Sequence, residues 1–184
     1  MIIIGILGFI GAGKDTVADY LVEKFGFHKL TMSDIIKEEM KRLGVEPNRT
    51  SMQDLSVKYK AEHGKGVWAR KSVEFSRQKG WERVVIVGLR DNQEVSELKK
   101  AEEFVLLFVD ADLDIRLKRL AARGSEKDTK SRQELISQEK RELELFDLLR
   151  DYKKYYDYKV TNNSTHVDLW REIDKFAAKY KLSK

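Results

Sequence analysis

Cysteine is missing altogether from these 184 residues. Its absence excludes a disulfide framework, a thiolate zinc site and a cysteine nucleophile. Long apolar runs are missing too, which excludes a transmembrane helix. The apolar stretch from Ile2 to Leu7 is too short for the core of a secretory signal and has no basic flank, so the chain is expected to be cytoplasmic, with no membrane partner. Proline occurs once, in the turn Glu46-Pro47-Asn48, and no repeat or low-complexity linker divides the sequence. A single domain over residues 1–184, long enough for a substantial core, is the reading that remains. Acidic residues are in slight deficit: 36 Lys and Arg stand against 31 Asp and Glu, a net charge of +5. Most of these side chains belong to a solvated surface. The surplus suits a phosphorylated small ligand and leaves nucleic acid as the weaker option.

What is present is concentrated in Gly8 to Thr16, G-F-I-G-A-G-K-D-T. An apolar run precedes it and an amphipathic stretch, Val17 to Phe25, follows. Strand, glycine-rich turn, lysine and helix form the context of a phosphate-binding loop. Gly11 and Gly13 let backbone N–H groups approach phosphate oxygens, and the start of the following helix adds partial positive charge. Lys14 brings a full charge on a flexible stem. Gly8, Gly13 and Lys14 satisfy the G-x-x-x-x-G-K spacing. Asp15 stands where Ser or Thr is usual, and Thr16 follows one residue later.

The rest of the chain alternates strands and helices. Ile2 to Leu7, Arg83 to Val87, Phe104 to Val109 and Tyr158 to Thr161 read as strands, and His28 to Leu30 as a short strand or extended link. The lack of polar alternation in Ile2 to Leu7 predicts a parallel sheet covered on both faces. Helices are expected at about 14–25, 93–101 and from 112, with a long one from Ser131 to about Leu149 and a last one from Thr165. Val17, Ala18, Leu21, Val22 and Phe25 form the first apolar face; Val167, Leu169, Trp170, Ile173 and Phe176 form the last. Between the second and third strands, residues 31–80 read as a helical insertion. Its first helix is capped by Ser33 or Asp34 and faced by Ile35, Ile36, Met40 and Leu43. Two more helices follow, at about 51–63 and 67–78. His28 reads as a surface residue. Arg90 leaves the end of a core strand, where open α/β sheets bind ligands. It suits a phosphate or carboxylate, or an ion pair with Asp91 or Glu94. Arg116, Arg119 and Arg123 share one helix side, and Gly124 to Lys130 is polar. Tyr152 to Tyr158, rich in Tyr and Lys, reads as the amphipathic end of a helix.

This order, with its motifs, resembles the nucleoside monophosphate kinase family of P-loop phosphotransferases over essentially the whole chain. The ending G-K-D-T is similar to deoxynucleoside monophosphate kinases and phosphomevalonate kinases. Ser33-Asp34 opens a helix where dephospho-coenzyme A kinases carry an acidic residue. The segment G-L-R-D-N-Q-E-V resembles one in archaeal kinase-like relatives, and R-L-K-R-L-A-A-R from Arg116 resembles the helix leading into the family's lid. Two departures stand out. Val87 occupies the place of a Walker B acid, leaving Asp15, Asp34 or Asp91 as substitutes, and Met32-Ser33 replaces the first acid of the dephospho-coenzyme A kinase pattern.

The resemblance implies a three-layer α/β/α P-loop NTPase fold with a five-stranded parallel sheet, an acceptor-binding insertion at 31–80 and a short lid at 116–135. It also implies transfer of the ATP γ-phosphoryl group to a small phosphorylated acceptor, with ATP and Mg²⁺ as cofactors. Gly8, Gly11, Ala12, Gly13, Lys14, Asp15, Thr16 and Arg119 would then bind the nucleotide, and Asp15 and Thr16 the metal. Asp34, Arg49 and Arg90 would bind the acceptor. Lys14, Asp34, Arg90, Arg123 and Arg132 would serve the transfer. Nucleotide regulation without transfer and a nucleic-acid-associated ATPase are the competing classes.

Overall fold

The computed structural model describes residues 1–123 and 131–182; of Arg49 it describes the backbone only. Its centre is one sheet of five parallel strands in the order β2-β3-β1-β4-β5. β1 (Ile2–Leu7) lies between β3 (Arg83–Val87) and β4 (Glu103–Asp110), with β2 (His28–Thr31) and β5 (Tyr158–Thr161) at the edges. Parallel pairing requires every connection to cross back over a face of the sheet. The crossing helices bury both faces, so the architecture has three layers, α/β/α. Ile3, Val84, Ile86, Leu106 and Phe108 turn to one helical layer and Ile4, Ile6, Val85, Val87 and Leu107 to the other, none more than 6% exposed. α1 (Lys14–Phe25) and α9 (His166–Lys179) pack in the second cluster. α2 (Met32–Arg42), α4 (Val67–Gln78) and α5 (Asn92–Ala101) pack in the first.

The strands fall where the apolar runs place them; the helices differ at their ends. α2 is capped by Thr31, whose side chain accepts from the Asp34 N–H while Asp34 accepts from the Thr31 N–H. Ser33 and Asp34 are therefore inside the helix rather than at its cap. α3 (Arg49–His63) begins earlier than expected because Asn48 and Ser51 form a reciprocal cap. Val22, Leu43 and Val167, expected on apolar faces, are 37%, 45% and 64% exposed. After α6 (Leu113–Arg123), residues 124–130, the middle of the expected lid, lie outside the described residues. The long helix expected from Ser131 is two, α7 (Arg132–Leu145) and α8 (Asp147–Arg150), broken at Phe146 with φ −120° and ψ 106°. Tyr152 to Lys154 form a short 3-10 helix, and Tyr152 and Tyr156 stack against Phe108. No helix among the described residues is long and apolar enough to cross a membrane.

The insertion is tied together at Glu39 on α2, 7% exposed. Its carboxylate accepts from Arg42 at 2.7 Å, Tyr59 at 2.7 Å and Lys71 at 3.1 Å, joining α2, α3 and α4. The Arg42 bond foremost, helped by Tyr59 and Lys71, holds its pKa down at about 2 against an ordinary 4.5. A depressed folded-state value stabilises the fold above the ordinary pKa and loses that contribution as pH falls through the folded one. Urea denaturation of Glu39→Gln is therefore expected to show a flatter loss of stability between pH 4.5 and about 2 than the parent chain. Parallel curves would contradict this role.

Candidate functional site

All five strands end at one edge of the sheet. Val87 pairs level with Ile6 and Thr31, Leu7 with Phe108, and Asp110 with Thr161. Connections diverge to either side of β1, and such a switch point opens a crevice at the carboxyl ends of the strands. The Gly8–Gly13 turn sits there. Gly13 has φ 94° and lies so close to Asn162 that a Cβ would stand 2.4 Å from its Nδ2. Gly8 presses on β4, where a Cβ would stand 2.3 Å from the Val109 carbonyl oxygen.

The turn is held by its carbonyl groups. Lys14 folds back so that Nζ donates to Gly8 O at 2.8 Å and Phe9 O at 2.9 Å. Arg116 Nη1 donates to Ile10 O at 3.1 Å, and Asn162 Nδ2 to Ala12 O at 2.9 Å. The first N–H groups of α1 have no partner within the helix and are left for an anion. Burial pulls the Lys14 ammonium below the ordinary lysine range, opposed by Glu142 and Asp15 and reinforced by Arg116 and Arg90.

A cleft of about 410 Å³ borders the turn, lined by Gly11, Lys14, Thr16, Arg119, Arg123 and His166 among others. Asp15 also borders it, 69% exposed and paired with Lys29 at 2.8 Å. Arg119 Nη2 donates to Asn162 Oδ1 at 3.0 Å, whereas its Nη1 is buried with no hydrogen-bond partner among the described residues. Arg116, by contrast, is 6% exposed and committed: it holds Ile10 and Ala111 carbonyls and pairs with Glu139 of α7.

On the other flank, the turn after β3 is fixed from two directions. Glu94 accepts the N–H groups of Arg90 and Asp91 at 2.7 and 3.1 Å. Burial raises the Glu94 carboxyl above its usual range, against those bonds and Lys60. Asp91 pairs with Lys60 at 2.5 Å and Lys65 at 3.5 Å. The break at Phe146 supplies the second support. Its ring lies 4.2 Å beneath the Arg90 guanidinium, the Leu148 N–H donates to Arg90 O at 3.2 Å, and Asp147 accepts from the Asn92 N–H at 2.8 Å. Arg90 is exposed and makes no ion pair among the described residues, neither with Asp91 nor with Glu94.

Gly11, Gly13, Lys14, Asp15 and Thr16 thus gather with Arg119 and Arg123 around the cleft, whereas Gly8 does not line it and Ala12 is fully buried; Arg90 is close enough to act electrostatically on Lys14. Asp34 is held by Thr31 and lies 3.6 Å from Lys37. Arg132 pairs with Asp114. The Arg49 side chain is outside the described part. Of the three acids considered in place of Val87, Asp34 accepts the Thr31 N–H, Asp91 is paired with Lys60 and Lys65, and only Asp15 borders the cleft. Asn162, Glu139, Glu142, Phe146 and His166 were not distinguished by any motif. Asn162 opens an Asn-Asn-Ser segment, whose composition predicts only a turn.

Residues 4–147 match the AAA domain family. The chain is 33% identical over 144 residues to a UPF0200 protein of Methanothermobacter thermautotrophicus, covering 78% of this chain and 73% of that one. It is 30% identical to a UPF0200 protein of Pyrococcus horikoshii, with 96% of each covered. Among solved structures it superposes on TT1252 of Thermus thermophilus with TM-score 0.61 at 23% identity, covering 97% of both chains. On shikimate kinase of Bacteroides thetaiotaomicron the TM-score is 0.59 at 15% identity, with 98% of both covered. These structural likenesses are of fold: the three-layer α/β/α P-loop NTPase fold.

Gly13→Ala forces a side chain into a left-handed turn against Asn162. It is expected to lower unfolding stability by roughly 1–3 kcal/mol in urea titration. An unchanged midpoint would show that the turn relaxes freely.

Proposed function

The chain belongs to the AAA domain family and is one of the UPF0200 proteins, and on that footing we propose that it is an ATP-dependent P-loop kinase. It moves the γ-phosphoryl group to a small phosphorylated acceptor, a nucleoside or deoxynucleoside monophosphate. The observation that carries this reading is the pairing of two cations at neighbouring strand ends. One is a desolvated lysine in a glycine turn. The other is an arginine with a ring beneath it and no carboxylate partner among the described residues.

The residues present fit the two cofactors. The turn offers unpaired N–H groups, and Arg119 offers a buried donor without an acceptor. Thr16 and Asp15 are the oxygen donors beside it. The described residues contain no cluster of three or more His, Asp or Glu that could hold a metal ion. That suits Mg²⁺, which keeps several waters and is bound through one or two protein oxygens plus phosphates. Bound ATP with Mg²⁺ supplies the transferable phosphoryl group and neutralises its charge. Lys14 and the α1 N-terminus hold the β and γ phosphates. Arg119 steadies the nucleotide and Arg90 the acceptor, with Asp34 and Arg49 on the insertion side. Arg123 and Arg132 close from the lid side, and closure excludes water that would hydrolyse ATP. In this layout residues 31–80 receive the acceptor and 116–135 form the lid of a single domain.

A second reading keeps the chemistry and changes the acceptor. Structures of this fold are named shikimate kinase and sugar kinase, and the planar fork of Arg90 suits a carboxylate as well as a phosphate. An acceptor screen decides. ADP formation is measured with nucleoside and deoxynucleoside monophosphates, dephospho-coenzyme A and shikimate. Stimulation by a monophosphate is expected; no stimulation by any acceptor would overturn the kinase reading. Lys14→Ala is expected to reduce kcat by about 10²–10³-fold or more with an unchanged circular dichroism spectrum. Arg90→Ala is expected to raise the acceptor KM on the order of 10- to 100-fold while leaving that for ATP nearly unchanged. Equal effects on both would move Arg90 out of the acceptor site.

A further inference from the structure

Asn162 stands where β5 leaves the sheet, 4% exposed. Its backbone N–H donates to Asp110 O at 2.7 Å, which pins it to β4. Its side chain divides its two ends between elements that are distant in sequence. Nδ2 donates to Ala12 O in the turn at 2.9 Å, and Oδ1 accepts from Arg119 Nη2 on α6 at 3.0 Å. The amide has one workable orientation. Reversed, it would set a donor against the guanidinium and an acceptor against the carbonyl. Gly13 makes the approach possible by having no Cβ.

Holding Ala12 alone would be a structural duty. Two features of Arg119 go further. Asn162 is the hydrogen-bond partner of its guanidinium among the described residues. The other terminal nitrogen, Nη1, is buried at the wall of the cleft without a partner there. A buried donor left unmade is costly unless something else supplies the acceptor. We propose that Asn162 is a positioning residue that presents Arg119 Nη1 to an acceptor atom of the bound nucleotide. The same amide holds Ala12, so the arginine and the phosphate turn keep a fixed spacing. The inference rests on the nucleotide-binding reading above and adds the residue that couples its two halves. The acceptor atom is an oxygen or nitrogen of the nucleotide, on the phosphates or on the nucleoside.

Calorimetric titration tests it with the wild-type chain, Asn162→Ala, Arg119→Ala and the double variant, each against Mg·ATP and Mg·tripolyphosphate. Each single change is expected to weaken ATP binding by about tenfold. Because Asn162 acts through Arg119, the double variant is expected to bind no more than about threefold more weakly than Arg119→Ala. Loss with ATP alone places the acceptor on the nucleoside; loss with both ligands places it on the phosphates. The proposal is overturned if Asn162→Ala binds like wild type, or if the two losses multiply as independent effects would. Should Asn162→Ala not fold, Asn162→Asp keeps the volume and the acceptor for Arg119, so Arg119→Ala must still weaken binding in that background. No such effect would be equally decisive against it. A wild-type chain that binds neither ligand overturns the nucleotide reading itself, a result distinct from wild-type binding that Asn162 does not influence.

Discussion

The carbonyl groups of the turn between β1 and α1 are held mostly by side chains that reach in from neighbouring elements. One backbone bond closes within the turn, from the Ala12 N–H to the Phe9 oxygen at 3.2 Å. Here the carbonyls of Gly8, Phe9, Ile10 and Ala12 accept from Lys14, Arg116 and Asn162. Those donors belong to α1, to the helix after β4, and to the exit of β5. The strand order places each of them within reach, because β4 lies beside β1 and β5 beside β4. Sheet topology and turn geometry thus act together: side chains from the neighbouring strand exits hold the turn's oxygens, and the first N–H groups of α1 remain available.

α7 and the break at its end carry the second level of organisation. Glu139 pairs with Arg116, which holds the turn. Glu142 acts electrostatically on Lys14. At the break, Phe146 supports Arg90 while Asp147 and Leu148 bond the backbone around it. α7 therefore reaches the Gly8–Gly13 turn through Arg116 and Lys14, and the segment that follows it holds the β3 exit. A displacement of α7 would be felt by both, which is the mechanical coupling that a lid in the proposed enzyme requires.

Sequence patterns carried the sheet and the turn because both are local. A buried parallel strand is a short run such as R-V-V-I-V, and the phosphate turn is a fixed spacing of Gly8, Gly13 and Lys14. The helix break is another matter. Phe146 has neither Gly nor Pro beside it, and the apolar periodicity runs through it; the conformation is set by a tertiary partner, Arg90. Asn162 is hidden for the same reason. Its neighbours in space are Ala12 and Arg119, far off in sequence, and an Asn-Asn-Ser segment reads as a turn whatever its side chains touch. Arg116 and Arg119 look equivalent on a helical wheel, yet one is buried against loop carbonyls and the other borders the cleft. Asp34 and Asp91 satisfy the pattern of candidate acids, but the first caps the Thr31 N–H and the second is paired with Lys60 and Lys65.

Lys14 at rest is already satisfied, since its ammonium rests on two carbonyl oxygens of its own turn. Taking up an anion is consequently an exchange: two charge-assisted bonds are given up, and the Gly8 carbonyl must find water while that of Phe9 keeps the Ala12 N–H. A monovalent ion such as chloride returns too little for that exchange. A polyphosphate, which engages several N–H groups and the lysine together, returns more. The lysine's bonds to its own turn therefore favour a polyphosphate over the small anions of any salt solution.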